Sequence, residues 1–376
     1  MAGFAEDLIS QGWARLPLDP ATPPHRKVLE RRARCAELFT RMMLAEDPHE
    51  LQVTPTGQYG FTADGNESTV GLSELRSHFV FNQSLPFDHP MASLAPLFYG
   101  NPDATASLGL DDKFAATVLA LQEDLDVLTM AHLEELETTL GLAFGEITGR
   151  LALGERLLRL QWYPAVTGDS LKTYIVEVDG RNTSIVGWQM RTAGATETPT
   201  VRVSPHKDIG HWTWQVYAAD SKLRFLGAGS DGATPAPSGD WLYGNVCEFL
   251  ADDVKGLQAP IHWVDVDADS LAKNRVSISY FAHARPGVFS RTECAGLKLY
   301  DRLVGLGYAA QDERAQAARM LPPLGPSDQE VLSTMLDWEK ANRVPSGFSV
   351  GVSRYYYKSH GGHIRRRPRD DVDPLL

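Results

Sequence analysis

From Leu157 to Ala282 the chain is broken into short segments rich in β-branched and aromatic residues, separated by Gly, Pro, Asp or Asn. The segments are Leu157–Tyr163, Thr173–Val178, Thr198–Val203, Thr213–Tyr217, Trp241–Phe249, Ile261–Val266 and Arg275–Ala282. Segments of this length and composition read as strands. Short strands at regular spacing predict a mainly β core of the jelly-roll, cupin-like kind, in which two sheets stack.

Around this core the periodicity is helical. Apolar residues recur at three and four in Lys27–Leu44 and in Asp111–Leu142, and again in Gly296–Leu306 and Asp328–Asn342. Thr54–Asn66 and the proline-rich Leu85–Asp103 read as surface loops. With no internal repeat or linker, the expected organisation is a single domain over 1–376. It has a mainly helical part over 1–150, a β core over 151–290, and C-terminal helices and tail over 291–376. The basic stretch His363–Arg369 reads as a solvated terminus.

Composition narrows the partners. A formal net charge of -12 and a pI near 5.4 disfavour nucleic acid and anionic membranes, which reward excess Lys and Arg. No apolar run approaches the roughly 20 residues of a membrane span, and the N-terminus lacks the order of a secretory signal. A cytoplasmic protein with a small-molecule partner is expected; the oligomeric state is not legible. Cys35, Cys247 and Cys294 are odd in number and lack paired metal-ligand spacing, so reduced, structural thiols are expected.

Within the β region, His206 and Asp208 stand two apart in Ser204–Trp214, where a turn runs into a strand. On a strand, residues i and i+2 share a face about 6.6 Å apart, close enough for an imidazole and a carboxylate to converge on one ion. His132 and Glu134 have the same spacing but lie in a helical segment, where such residues do not face each other. A third ligand must come from a distant strand. His211 is too close to Asp208; His262, at the head of Ile261–Val266, is preferred, with His283 as the alternative. Two histidines and one carboxylate with open positions suit non-haem iron(II). In Asn274–Phe281, period two places Arg275 and Ser277 on one face and Val276 and Ile278 on the other. An arginine facing the inside of a barrel needs an anion, either a ligand carboxylate or an internal Asp or Glu.

Taken in order, Tyr163-Pro164, the His-X-Asp-X-Gly-X-X-Thr pattern over His206–Thr213, His262, and Arg275-X-Ser277 resemble the isopenicillin N synthase-like iron(II)/2-oxoglutarate-dependent dioxygenases. The resemblance covers Leu157 to Pro286. It implies a double-stranded β-helix with flanking helices, and iron(II) held by His206, Asp208 and His262. It also implies 2-oxoglutarate as co-substrate, with its far carboxylate on Arg275 and Ser277 and a contact from Tyr163, and O2 as the oxidant of a small organic molecule. Tyr163 has the simpler reading of a core strand aromatic. The sequence departs from the family's pattern at Gln161, where asparagine is usual, at Trp263, where an arginine often follows the distal histidine, and in a long gap between Tyr163 and His206. That gap is expected to form an extra hairpin over the mouth of the site, with Trp188 and Arg191 as candidate substrate contacts or as plain decoration. Trp212, Trp214, Phe79 and Phe81 read as core or pocket aromatics. Two rivals share these residues: an oxidase of the isopenicillin N synthase type, in which Arg275 and Ser277 hold the substrate and no 2-oxoglutarate is used, and a non-catalytic jelly-roll binding protein.

Overall fold

The computed structural model describes residues 3–45, 60–62, 68–69, 72–82, 112–151, 156–167, 170–178, 180–191, 197–208, 210–220, 222–226, 233–235 and 239–283. The C-terminal helices, the basic tail, Cys294 and the loop Leu85–Asp103 lie outside them.

The N-terminal part opens with helix α1 (Phe4–Gln11), strand β1 (Trp13–Pro17) and helix α2 (Pro23–Ala45). Gly12, at φ 81°, closes α1 in the left-handed region; a Cβ there would meet the Gln258 carbonyl oxygen at 2.3 Å, so only glycine fits. Short strands β2 (Gly60–Thr62), β3 (Ser68–Thr69), β4 (Leu72–Glu74) and β5 (Ser77–Asn82) follow, then helix α3 (Asp112–Thr139) and the single turn α4 (Thr148–Leu151). Besides these helices, the first 150 residues contribute five short strands that the sequence reading does not anticipate. β1 and β5 are too short for their alternation to stand out in the sequence, and what makes them strands is pairing with the central sheet. Helix α2 extends the expected Lys27–Leu44 by four residues at its start and one at its end, whereas α3 falls short of the expected Asp111–Leu142 by one residue at its start and three at its end.

The core comprises β6 (Arg156–Tyr163), β7 (Leu171–Val178), β8 (Arg181–Arg191), β9 (Glu197–Val201), β10 (Val203–His206), β11 (Trp212–Ala218), β12 (Leu223–Leu226), β13 (Ala233–Pro235) and β14 (Trp241–Val246). Helix α5 (Glu248–Asp253), β15 (Ile261–Val264), α6 (Ala268–Leu271) and β16 (Arg275–Ala282) complete it. One sheet has the order β1-β14-β11-β16-β6-β5-β2 and a second the order β10-β15-β12-β13. From β10 to β16 the chain passes back and forth between these two sheets, which is the winding of a double-stranded β-helix. The fold is the jelly-roll expected from the sequence.

Period two divides the larger sheet. Leu158, Leu160, Trp162, Trp212, Trp214, Val276, Ile278 and Tyr280 join the apolar faces of α1, α2 and α3 in one core, at about 1.5–3 kcal/mol for each large side chain fully buried. Trp212, Trp214, Phe79 and Phe81 therefore belong to core and not to a pocket. The opposite face looks across at the smaller sheet, where Trp13, Tyr163, Phe225, Tyr243 and Val264 form an inter-sheet cluster and Trp13 stacks on Phe225 at 4.7 Å.

The long gap before His206 forms the β7–β8 hairpin, as expected, but in another place. With β9, β4 and β3 it makes a third sheet, whose Val176, Val178, Ile185 and Val201 pack on Ile261 and Trp263. These are the reverse-face neighbours of His262, so the hairpin backs the smaller sheet and none of its described residues lines the cavity. Trp188 is fully buried against Val266 and Leu271, which removes it as a substrate contact. Trp241–Phe249 also differs from expectation: the strand stops at Val246 and α5 begins at Glu248. No helix among the described residues is long and apolar enough to cross a membrane.

Candidate active site

A cavity of about 320 Å³ lies between the two sheets. One of its walls carries His206 and His262, which stand directly opposite each other in the antiparallel β10–β15 pair. This pairing depends on a bulge. Val203 pairs with Val264 and His206 with His262, so three steps on β10 match two on β15. Strict alternation would turn His206 to the opposite face from Val203; the extra residue, in a stretch containing Pro205 with no N–H to donate, brings both to the cavity.

Each imidazole is oriented by its own strand. His206 Nδ1 donates to the Ser204 carbonyl at 2.8 Å, and His262 Nδ1 to the Pro260 carbonyl at 3.4 Å. Both Nε2 atoms then turn to Asp208, His206 at 3.5 Å from Oδ1 and His262 at 3.6 Å from Oδ2. One ligand atom from each of the three residues lies within 4.8 Å of the others. Donors about 2.1 Å from a first-row metal lie about 3 Å apart when adjacent, so small side-chain shifts would close the set on an ion. Side-chain exposure is 25% for His206, 11% for Asp208 and 4% for His262, which leaves the site open on the His206 side.

The Asp208 loop is anchored from behind. Backbone amides of Cys247, Glu248 and Phe249, at the start of α5, donate to the carbonyls of His211, Asp208 and Gly210 at 3.1, 2.9 and 3.0 Å. The Asn245 side chain donates to Asp208 Oδ2 at 3.1 Å. Burial opposes the Asp208 charge, but the two imidazoles and this amide outweigh it and hold the carboxyl well below the ordinary range. Burial pushes His262 down to about 4, keeping it neutral as a ligand must be. His206 is also penalised by burial, yet its hydrogen bond and charge contact with Asp208 raise it above the usual value. Cys247 is near, but burial and then the Asp208 charge push its thiol up, so it stays protonated beside the Thr213 hydroxyl.

The facing wall is built by the antiparallel β6–β16 pair, in which Tyr163 is opposite Arg275, Gln161 opposite Ser277 and Arg159 opposite Ser279. All six line the cavity, so Arg275 and Ser277 share the inner face as their spacing predicts. The buried Arg275 guanidinium stacks 4.6 Å from the Tyr163 ring and donates through Nε to Asp220 at 2.6 Å; its Nη1 is buried without a partner among the described residues. An internal acid thus takes one edge of the fork and leaves another free. Ser277 donates to the Tyr163 hydroxyl at 3.4 Å, and that hydroxyl to Gln161 Oε1 at 3.2 Å. Behind Tyr163 lies a second buried guanidinium, Arg202, 5.6 Å from the Tyr163 ring and 5.4 Å from the Trp188 ring. Burial first, and the nearby Arg275 charge second, lower its pKa to about 10.

Of the other histidines weighed as ligands, His211, His283 and His132 fall away from the site, and His360 and His363 lie outside the described residues. His211 lies against Phe249 at 5.8 Å, and His283 is buried where a Cβ on Gly210 would touch its ring. His132 sits on α3 between Phe4 and Trp214 and is 3.2 Å from Glu135, as the helical reading of that segment requires. Sequence reasoning missed Asp220, Asn245 and Arg159. Only Arg159 left a signal, an arginine alternating with Gln161 and Tyr163 on an otherwise apolar strand.

No protein-family model and no curated protein matches the chain. Solved structures do. The chain is similar to a 2OG-Fe(II) oxygenase family protein from Caulobacter crescentus, with 19% identity, a TM-score of 0.56, and 77% of this chain and 83% of that one covered. It is also similar to a full-length Neurospora crassa protein in complex with alpha-KG and thymine (16% identity, TM-score 0.53, 88% and 90% covered). JOX2 in complex with 2OG, Fe and JA is a third such structure (14% identity, TM-score 0.52, 95% and 83% covered). The chain therefore has the double-stranded β-helix fold of the 2OG-Fe(II) oxygenases.

Proposed function

We propose that this protein is a non-haem iron(II) oxygenase that uses 2-oxoglutarate and O2 to oxidise a small organic molecule. The observation that carries the reading is the convergence of His206, Asp208 and His262 on one wall of a cavity whose facing wall presents a buried, half-paired arginine. Two imidazoles and one carboxylate leave positions free on an iron(II) ion, which a purely structural metal does not need.

When bound, iron with 2-oxoglutarate and O2 supplies the oxidising power for attack on a C–H bond, with succinate and carbon dioxide as co-products. The chain's own part is to hold and orient. His206, Asp208 and His262 supply the ligand atoms, while the Ser204 and Pro260 carbonyls keep each Nδ1 protonated and each Nε2 lone pair available. Asn245 and the amides of α5 fix the carboxylate. In this reading Arg275 Nη1 and the Ser277 hydroxyl receive the far carboxylate of 2-oxoglutarate, which the unpartnered Nη1 and the Tyr163 ring against the guanidinium support. The inter-sheet aromatics keep bulk water out of the floor of the cavity.

The test is addition of 2-oxoglutarate to the anaerobic iron(II) protein. A visible charge-transfer band is expected, and with O2 and substrate, succinate should form in step with product. Oxidation at full rate without any 2-oxo acid would overturn the reading and transfer Arg275 to the substrate's own carboxylate.

A further inference from the structure

Four arginines line the cavity. Three are matched to a carboxylate: Arg32 to Asp240 at 2.9 Å, Arg76 to Glu74 at 2.9 Å, and Arg275 to Asp220 at 2.6 Å. Arg159 has no ion pair and no hydrogen bond among the described residues, and its Nε is buried without a partner. Its guanidinium lies 5.3 Å from the centre of the Phe281 ring. Arg159 is half-buried, and the buried, unpaired Nε–H at the base of its guanidinium costs free energy unless an acceptor arrives to meet it.

Arg159 and Arg275 point to opposite ends of one strand pair. Arg159 is opposite Ser279 and Arg275 opposite Tyr163. Four residues separate the two positions, about 13 Å of strand. The Arg275 guanidinium stacks at the Tyr163 end and that of Arg159 at the Phe281 end, so an anion seated on one does not satisfy the other. The Phe281 end is also the end of the metal-ligand set. Phe281 pairs with Thr213, Thr213 pairs with Asn245, and Asn245 reaches Asp208.

We propose that Arg159 is a second anion-binding group and that the substrate is a monocarboxylate, held by this guanidinium beside Phe281 at the His206–Asp208–His262 end of the cavity. That the ligand is a substrate rests on the function proposed above. A carboxylate fits better than a phosphate ester, because one guanidinium fork matches two oxygens and the nearby Asp208 repels a dianion. Phe281 offers the apolar body of such an acid a flat surface next to the charge.

The test measures binding by calorimetry on the full chain, with hexanoate, phenylacetate and cinnamate each beside its primary amide, and phenyl phosphate as the other oxyanion. At least one acid should bind about tenfold or more tighter than its amide, and Arg159→Gln should abolish that preference, as expected when a charge-assisted pair is lost. Arg159→Lys should restore part of it. Unchanged affinity of Arg159→Gln for 2-oxoglutarate reports that the variant is folded and that the two anion positions are separate. Equal binding of acids and amides, unchanged acid binding in Arg159→Gln, preference for phenyl phosphate, or no acid in the series binding would each overturn the proposal. Arg159-dependent acid binding in a protein that binds no 2-oxoglutarate would instead overturn the function and leave the anion site standing.

Discussion

Replacing Arg275 by alanine measures how much of the 2-oxoglutarate affinity resides in one buried guanidinium. The side chain is 5% exposed, holds Asp220 through Nε, and leaves Nη1 unpartnered among the described residues. Truncation deprives the incoming carboxylate of its countercharge in a site where water cannot substitute. Losing one partner of such a buried pair costs about 2–5 kcal/mol, or about 30-fold to 5,000-fold in affinity. The upper half of that range is expected, because Asp220, with 24% of its side chain exposed, would remain to repel the ligand. The assay is anaerobic titration of the iron(II) protein with 2-oxoglutarate, followed by its charge-transfer band. Adding Asp220→Asn to Arg275→Ala should recover about tenfold by removing the repulsion, a coupling that a double-mutant cycle isolates. An Arg275→Ala protein that binds 2-oxoglutarate within about threefold of the parent would refute the assignment, since that is under 1 kcal/mol.

Alanine at His206, Asp208 or His262 should abolish stoichiometric iron(II) binding measured by metal analysis, whereas His132→Ala and Glu134→Ala should leave it unchanged. Normal iron in His262→Ala with loss in His283→Ala would reassign the distal ligand. Gly244→Ala should destabilise by about 1–3 kcal/mol in urea denaturation, because its Cβ would fall 2.5 Å from the Trp212 ring and 2.8 Å from that of Trp214. Trp188→Ala should lower stability by about 3–5 kcal/mol while the folded protein keeps its iron and 2-oxoglutarate affinities; changed substrate selectivity with intact stability would return the hairpin to the site. Asp267 caps α6, and the hydrogen bond it accepts from the Lys222 ammonium, then that from the Ser270 amide, lower its pKa to about 2. Its contribution is therefore present above the ordinary carboxylate pKa near 4 and fades as pH falls towards 2. The stability gap between the parent and Asp267→Ala, about 1 kcal/mol at neutral pH, should close over that window in acid denaturation.

The site is more legible in the sequence than the scaffold around it. The β16 strand and the inward face of Arg275 and Ser277 follow from alternation alone; the His206–Asp208 pair is found by spacing, but β10 ends at His206 and Asp208 stands in the loop beyond it, not on the strand face. The bulge at Pro205 leaves no such trace, although it is what turns His206 inward, because a one-residue slip changes pairing and not composition. Asp220 cannot be matched to Arg275 by pattern, since nothing local links a loop acid to a strand 55 residues on. β1 and β5 are hidden for a related reason: short segments become strands when a sheet edge is available to pair with. The β7–β8 hairpin can be expected from chain length, but its destination is set by Ile261 and Trp263, whose outward apolar faces require a cover.

The Asp208 loop hangs from amides at the start of α5, and those residues emerge from the ribosome only after β11 to β14 are complete. His262 appears later still. The three donors come from β10, from the loop that follows it and from β15, so the ligand set is complete only once the smaller sheet has paired. Hydrophobic closure of the two sheets is expected to hold the fold without the ion, so a chelator should empty the site without unfolding the protein; loss of the fold on chelation would refute this.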